Sequence, residues 1–258
     1  MRFYEANAGR WSAGAIFEDS SADHGVILQV KDGDSELVGD DLFLGVFGDP
    51  ALCSNALRDM RDRARKGRLE YPAGELPTPG RTLIEESTLA GIDPIHDAWL
   101  GEHRGNRWDF FYRSEPVADC AGTQNVSLID LGRWRGEIER ILRAASPHTY
   151  VLRHVDRYDW YGYVDGPDSL AGVMSVEHWI SGGSIAHFGG LATDPSKTSR
   201  GVGTAIMTAA LNNELASHDT VVFGMWVEND RARRIYERIG LHVGERMLSC
   251  SPRPLREH

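Results

Sequence analysis

Glycines 201 and 203, within SKTSRGVGTAIMTAAL (196–211), narrow the fold more than any other feature of this chain. The segment before them, IAHFGGLAT (185–193), reads as a strand ending at Asp194-Pro195. The segment after them reads as a helix over about 203–216. The first turn of such a helix leaves several N–H groups without internal acceptors, and the helix dipole adds to their pull on an anion. Gly201 and Gly203 lack Cβ atoms, so the main chain can come close to a bulky phosphate. Arg200 adds a full positive charge and Thr204 a hydroxyl donor. Two familiar phosphate loops do not fit. The nucleotide loop needs a Gly-Lys-Ser/Thr string that is absent. The dinucleotide fingerprint needs a third glycine where Ile206 stands and an acid near 221, where the chain reads VVFG. Alone, Gly-x-Gly fits a plain strand-to-helix turn as well as an anion site.

The surrounding pattern is α/β. Before the turn, WYGYV (160–164) and LAGVMSVEHWI (170–180) read as strands joined by a DGPD turn, and SGGS (181–184) is a hairpin signal. After it come a strand, TVVFGMWV (220–227), a helix, DRARRIYERI (230–239), with Gly240 just past its end, and a last strand, LHVGERML (241–248). Upstream, Leu131, Trp134, Ile138, Ile141 and Leu142 share one helical face, and Asp130 can cap that helix. HGVILQV (24–30) and LFLGVF (42–47) are strand candidates around an Asp32-Gly33 turn, and 51–68 reads as a helix with a cationic C-terminal half. YPAGELPTPGR (71–81) reads as a loop, while 82–114, with its aromatic run WDFFY, follows no single period. RSEPVADCAGTQ (113–124) is polar and turn-rich, which places a boundary between an N-terminal domain, 1–114, and a second domain, 115–258.

The net charge of −10 argues against generic attraction to nucleic acid or anionic lipid, yet leaves room for a local cationic pocket. Cys53, Cys120 and Cys250 are far apart and form no Cys-x-x-Cys pair, which fits a reducing cytosol and predicts a cytoplasmic protein. No signal peptide is read at the N-terminus, and no run approaches the ~18 apolar residues that would span a bilayer. Neither His96/His103 nor His148/His154 has zinc-ligand spacing, so no metal is expected.

LATDPSKTSRGVGTAIM (191–207) followed by VENDRARRIYERIGL (227–241) resembles the GNAT superfamily of acyl-CoA-dependent N-acyltransferases, in particular bacterial members with an N-terminal extension. That family's pyrophosphate motif is Gln/Arg-x-x-Gly-x-Gly/Ala. Its counterpart here is Thr198, Ser199, Arg200, Gly201, Val202 and Gly203, with Thr in the first position. The second motif is Asn229, Ala232, Tyr236, Gly240 and Leu241. The resemblance covers roughly 126–250. It implies an α/β (α+β) fold with a mixed, mostly antiparallel sheet that splays open, flanked by helices, after a smaller α/β N-terminal domain. That domain would be a cap or a degenerate copy of the same fold.

The resemblance implies acetyl-CoA or another acyl-CoA as cosubstrate. The main chain of Leu191, Ala192 and Thr193 would pair with the pantetheine arm. Amides from Ser199, Arg200, Gly201, Val202, Gly203 and Thr204 would cradle the diphosphate, and Asn229 would also touch the cofactor. Acyl transfer to an amine needs a neutral nucleophile, a stabilised oxyanion and a proton for the leaving thiolate. Tyr236 stands where the family often places that acid, and a phenol of pKa ~10 is protonated at neutral pH. His187 is a candidate base, with Glu177 and His178 behind it; the latter two alternate faces of one strand. The acceptor would be a primary amine of a small molecule. Donation from a carrier protein or an aminoacyl-tRNA, and a non-catalytic acyl-CoA-binding role, remain as alternatives.

Overall fold

The computed structural model describes residues 11–18, 25–32, 43–66, 81–96, 100–101, 103–179, 184–198 and 200–251. Ser199, most of the 71–81 loop and turn residues 33–36 and 181–183 lie outside them. Two compact units emerge, one of residues 1–109 with 245–257 and one of 110–244. Among the described residues, no helix is long and apolar enough to cross a membrane.

In the first unit, β1 (Trp11–Glu18), β2 (Gly25–Asp32) and β3 (Phe43–Phe47) pair antiparallel in sequence. Helix α1 (Pro50–Arg65) follows, and β4 (Arg81–Glu85) returns parallel to β3. The unclassified stretch resolves into β4, a short helix α2 (Glu86–Gly91) and most of β5 (His103–Arg113). Leu44, Val46, Leu57, Met60, Ile84 and Leu100 form the core of this unit. Its last strand comes from the far end of the chain: Met247 to Cys250 pair antiparallel with β4.

In the second unit a four-residue strand, β6 (Val126–Ile129), precedes α3 (Leu131–Ala145). The Asp130 carboxylate accepts from the Arg133 amide at 2.8 Å, the cap its position predicts. Strands β7 (Asp159–Gly166), β8 (Ser169–Trp179) and β9 (Ile185–Thr193) extend the antiparallel sheet from β6. Helix α4 (Val202–Glu214) then crosses to β10 (Thr220–Trp226), which pairs parallel to β9. Helix α5 (Asp230–Arg238) leads to β11 (Val243–Ser251). The fold is the mixed, mostly antiparallel α/β arrangement expected. Two cores cover the two faces of the sheet. Trp134, Ile138, Ile141 and Leu142 of α3 pack with Trp160, Val173 and Ala192. Ile206, Met207, Ala210 and Leu211 of α4 pack with Tyr161, Met174, Phe188 and Phe223.

The turn between β9 and α4 is braced by Asp194. One carboxylate oxygen accepts from the Ser196 amide at 2.9 Å and hydroxyl at 2.7 Å, and the other from the Arg140 guanidinium of α3 at 2.7 Å. The Ser196 and Arg140 bonds hold this carboxyl down at about 2, below its ordinary 3.8. Lys197 is tied back as well, to Asp165 at 2.7 Å and the Ser169 hydroxyl at 2.6 Å. Because the folded pKa lies below the unfolded one, this stabilisation is complete above about pH 4 and fades as pH falls toward 2. Asp194→Asn is therefore expected to lower stability by about 1–3 kcal/mol at pH 7, the range for hydrogen bonds to a buried charge. The gap from the native chain should shrink at pH 2–3, read from urea midpoints at both pH values.

Candidate active site

The feature that opens a site is the parting of β9 from β10. The parallel ladder runs only from Ile185 to Phe188, against Thr220 to Phe223. From Gly189 to Thr193, β9 keeps β8 as its partner and has none on β10. The parting starts at a β-bulge, where Gly190 and Leu191 together oppose Met174. Gly190 has φ 58°, and a Cβ there would stand 2.5 Å from Val151 Cγ2. Only glycine meets both conditions, which explains a Gly-Gly pair inside a strand. Beyond the bulge Leu191 leans on the α4 core and Ala192 is buried in the α3 core. The half-buried Thr193 ends the strand at the Asp194 turn.

At the mouth of this opening α4 begins. Gly201 sits at φ 77° as its N-cap, exposed, with no side-chain cap and open space where a Cβ would point. Its carbonyl accepts from Ala205. The amides of Val202, Gly203 and Thr204 have no acceptor among the described residues, so three donors face outward at the positive end of a thirteen-residue helix. The two glycines do different work. Gly201 supplies the left-handed conformation, whereas a Cβ at Gly203 would meet Ile235 Cδ1 at 3.0 Å and Thr193 Oγ1 at 3.6 Å. Gly203 thus lets α4 lie close to α5. The side chains of Val202 and Thr204 are buried, leaving their main chain as the part an anion would meet. Of the two cations near the turn, Lys197 is occupied by Asp165, and Arg200 is exposed with no ion pair among the described residues. Thr198, at the motif's first position, gives its hydroxyl to the Pro195 carbonyl.

Tyr236 is set by the end of α5. The Gly240 amide bonds the Glu237 carbonyl and the Leu241 amide bonds the Tyr236 carbonyl, with Gly240 at φ 77°. These are the two bonds of a Schellman ending. Leu241 packs in the same core as Tyr236, so the Gly240-Leu241 pair fixes where the tyrosine points. The Tyr236 ring lies edge-on to Phe111 at 5.2 Å and tilted on Phe223 at 4.7 Å. Burial pushes its hydroxyl pKa upward, and that hydroxyl has no hydrogen-bond partner among the described residues. Asn229 caps α5, accepting from the Ala232 amide at 3.1 Å, and stays exposed.

The structure brings Leu191, Ala192, Thr193 and the start of α4 together at one opening. It places the two proton-transfer candidates apart. Phe188 packs in the core that holds Tyr236, so its neighbour His187 projects from the opposite face, opposite Glu177 on β8. Glu177 pairs with Arg157 at 3.7 Å. His178 turns to the α4 face, where it meets Glu214. The bracing roles of Arg140, Asp165 and Lys197 carry no local sequence signal, because their partners lie 28 to 54 residues away.

These features define an α/β domain in which two neighbouring strands part beside the start of a helix. Residues 121–241 match the model of the acetyltransferase (GNAT) family. Among solved structures, the chain is similar to a GCN5-related N-acetyltransferase from Kribbella flavida, at 13% identity over 96% of this chain and 93% of that one, TM-score 0.54. It is also similar to one from Sphaerobacter thermophilus, at 11% identity over 92% and 79%, TM-score 0.53. It spans 62% of a GNAT-family structure from Novosphingobium aromaticivorans, which covers 56% of this chain at 17% identity and TM-score 0.48. At these identities the likeness is one of fold. No curated protein matches the chain.

Alanine at the two positive-φ glycines separates the parting of the strands from the helix start. Gly201→Ala is expected to cost about 1–2 kcal/mol, the left-handed penalty alone, because its Cβ meets open space. Gly190→Ala adds a steric clash with Val151 and should cost more. Urea unfolding of both variants measures the order.

Proposed function

We propose that the chain transfers an acetyl or other acyl group from acyl-CoA to the primary amine of a small molecule. The observation that carries this reading is the set of three outward amides on α4 at the mouth of a parted β9–β10 pair, inside a GNAT domain. The amides of Val202, Gly203 and Thr204, with Arg200, would hold the diphosphate. The unpaired edge of β9 at Leu191, Ala192 and Thr193 would hold the pantetheine arm, and Ser199 and Asn229 would complete the cofactor's surroundings. None of the three cysteines is in a disulfide, which supports a cytoplasmic setting.

In the transfer, the amine lone pair forms a C–N bond at the thioester carbonyl and the C–S bond breaks. The sulfur keeps the bonding pair and takes a proton from Tyr236. The upward shift of the Tyr236 pKa keeps the phenol protonated at neutral pH. His187, on the other face, would take the proton that the amine nitrogen loses as the amide forms, from an amine that approaches on the Glu177 side; that proton passes to solvent, and Tyr236 regains its own from solvent. Donation from a carrier protein is the alternative within the same chemistry, favoured by Thr198 where the motif carries Gln or Arg. On this reading residues 1–114 are a cap or a degenerate copy of the same fold, and residues 115–258 carry the transfer.

Two measurements test the reading. Thiol release from acetyl-CoA should be seen with at least one member of an amine panel, and saturating coenzyme A should raise the melting temperature; if neither occurs, the reading falls. Tyr236→Phe should lower kcat about 10²-fold or more while leaving coenzyme A affinity nearly unchanged. Since the phenol pKa is raised, the native kcat should show no downturn from Tyr236 below about pH 10.

A further inference from the structure

We propose that His178, Glu214 and His218 form a binding site for a divalent cation of the zinc class, at the opposite end of α4 from the three free amides. The histidine spacings considered in the sequence predicted no metal, because these ligands come from the end of one strand and the end of a distant helix. His178 is the penultimate residue of β8, Glu214 is the last residue of α4, and His218 follows one turn later. One ligand atom from each lies within 4.8 Å of the others. Glu214 Oε2 is 2.8 Å from His178 Nε2 and 3.1 Å from His218 Nδ1. The two imidazoles are stacked, with ring centres 4.7 Å apart and planes 8° from parallel.

The surroundings orient these groups as the outer shell of a metal site does. The other Glu214 oxygen accepts from the Tyr161 hydroxyl at 2.6 Å, and the Asn213 side-chain amide donates to that same hydroxyl. This leaves Oε2 turned toward both rings. Asp159 lies 3.6 Å from the second nitrogen of His178, in the place of a carboxylate behind a metal-bound histidine. Around zinc, with bonds of about 2.0–2.2 Å, neighbouring ligand atoms stand about 3.3 Å apart. The two Glu214–His separations are only a few tenths shorter. Because the ring planes are nearly parallel and the lone pairs lie in those planes, the imidazoles must also tilt toward each other to share one ion, and both are partly exposed, with side chains 34% and 19% accessible against 4% for Glu214.

The donor set selects the ion. Two imidazoles and one carboxylate suit zinc or its neighbours, whereas calcium and magnesium want oxygen throughout. Three protein ligands leave a fourth position for water. The carbonyl end of α4 adds a negative dipole that favours a cation. Binding requires the lone pairs of His178 Nε2 and His218 Nδ1, so protons on those nitrogens leave to solvent or move to the outer ring nitrogens, where Asp159 can receive the one on His178. The bare alternative is a hydrogen-bonded network that merely satisfies a buried carboxylate.

The test uses the full chain, stripped with a chelator and desalted. It is titrated with zinc chloride by calorimetry and with cobalt chloride by visible absorption. Expected are one equivalent of zinc bound at a Kd of about 10 µM or tighter, a four-coordinate cobalt band, and no competition from excess magnesium. His178→Ala and His218→Ala should each abolish or weaken binding by more than about 10-fold, and Asp159→Asn should weaken it about 10-fold as an outer-shell change. Binding weaker than about 0.1 mM in the native chain, or binding unchanged in both histidine variants, overturns the proposal and leaves the network as the explanation. The native titration decides even if a variant misfolds, and it is independent of any acyl transfer.

Discussion

The Asp194 carboxylate is the constraint on which the rest of the second unit depends. It sits where β9 must stop and α4 must begin. By taking two bonds from Ser196 and one from Arg140, it ties the turn to α3 on the other side of the sheet. Lys197 adds a second tie to the β7–β8 turn. A loop held from both sides can leave the α4 amides without a protein acceptor, because its geometry does not rely on those amides for support. An anion would then meet donors already aimed, and would spend little of its binding energy on ordering them.

The same logic applies to the parted strands. Separating two hydrogen-bonded strands exposes main-chain groups, which is costly unless something else takes them up. The β-bulge at Gly190 makes the parting local. It diverts β9 from β10 while keeping its ladder with β8 intact. The cores on either side do not depend on the lost pairing, since Leu191 and Ala192 still pack on α4 and α3 respectively. The opening is a designed edge inside a sheet whose cohesion lies elsewhere.

What the sequence made readable follows from how far each cause reaches along the chain. The Asp130 and Asn229 caps, the Schellman ending at Gly240 and the Gly189-Gly190 bulge act within a few residues, so each shows in the local pattern. The strand β6 did not, because four residues with Leu128 half exposed lie directly before a strong amphipathic helix. The pairing of β11 with β4 could not be read either, since nothing in SPRP or LSCS names a partner some 160 residues upstream. Lys197 and Arg200 look alike in the string SKTSR, yet only the fold shows that Asp165 holds the first. Strand alternation already separates Glu177 from His178 in the sequence, and the fold adds which face each takes: His178 lies on the α4 side, and Glu177 with His187 on the reverse.

Helix α4 joins these threads through its polarity. Its N-terminus presents amides with no acceptor among the described residues and its C-terminus a carboxylate flanked by two imidazoles. The aligned peptide dipoles favour negative charge at the first end and positive charge at the second, so both preferences come from one backbone. The helix interior is almost wholly apolar and buried from Val202 to Leu211, which screens neither end and fixes the axis against the sheet. Glu214, the one ionisable residue of the helix, follows that run at a burial where a lone carboxylate would be untenable. Tyr161 and the two histidines supply its donors, so the anion-ready start of the helix and the imidazole-ringed end are both consequences of burying this one helix lengthwise.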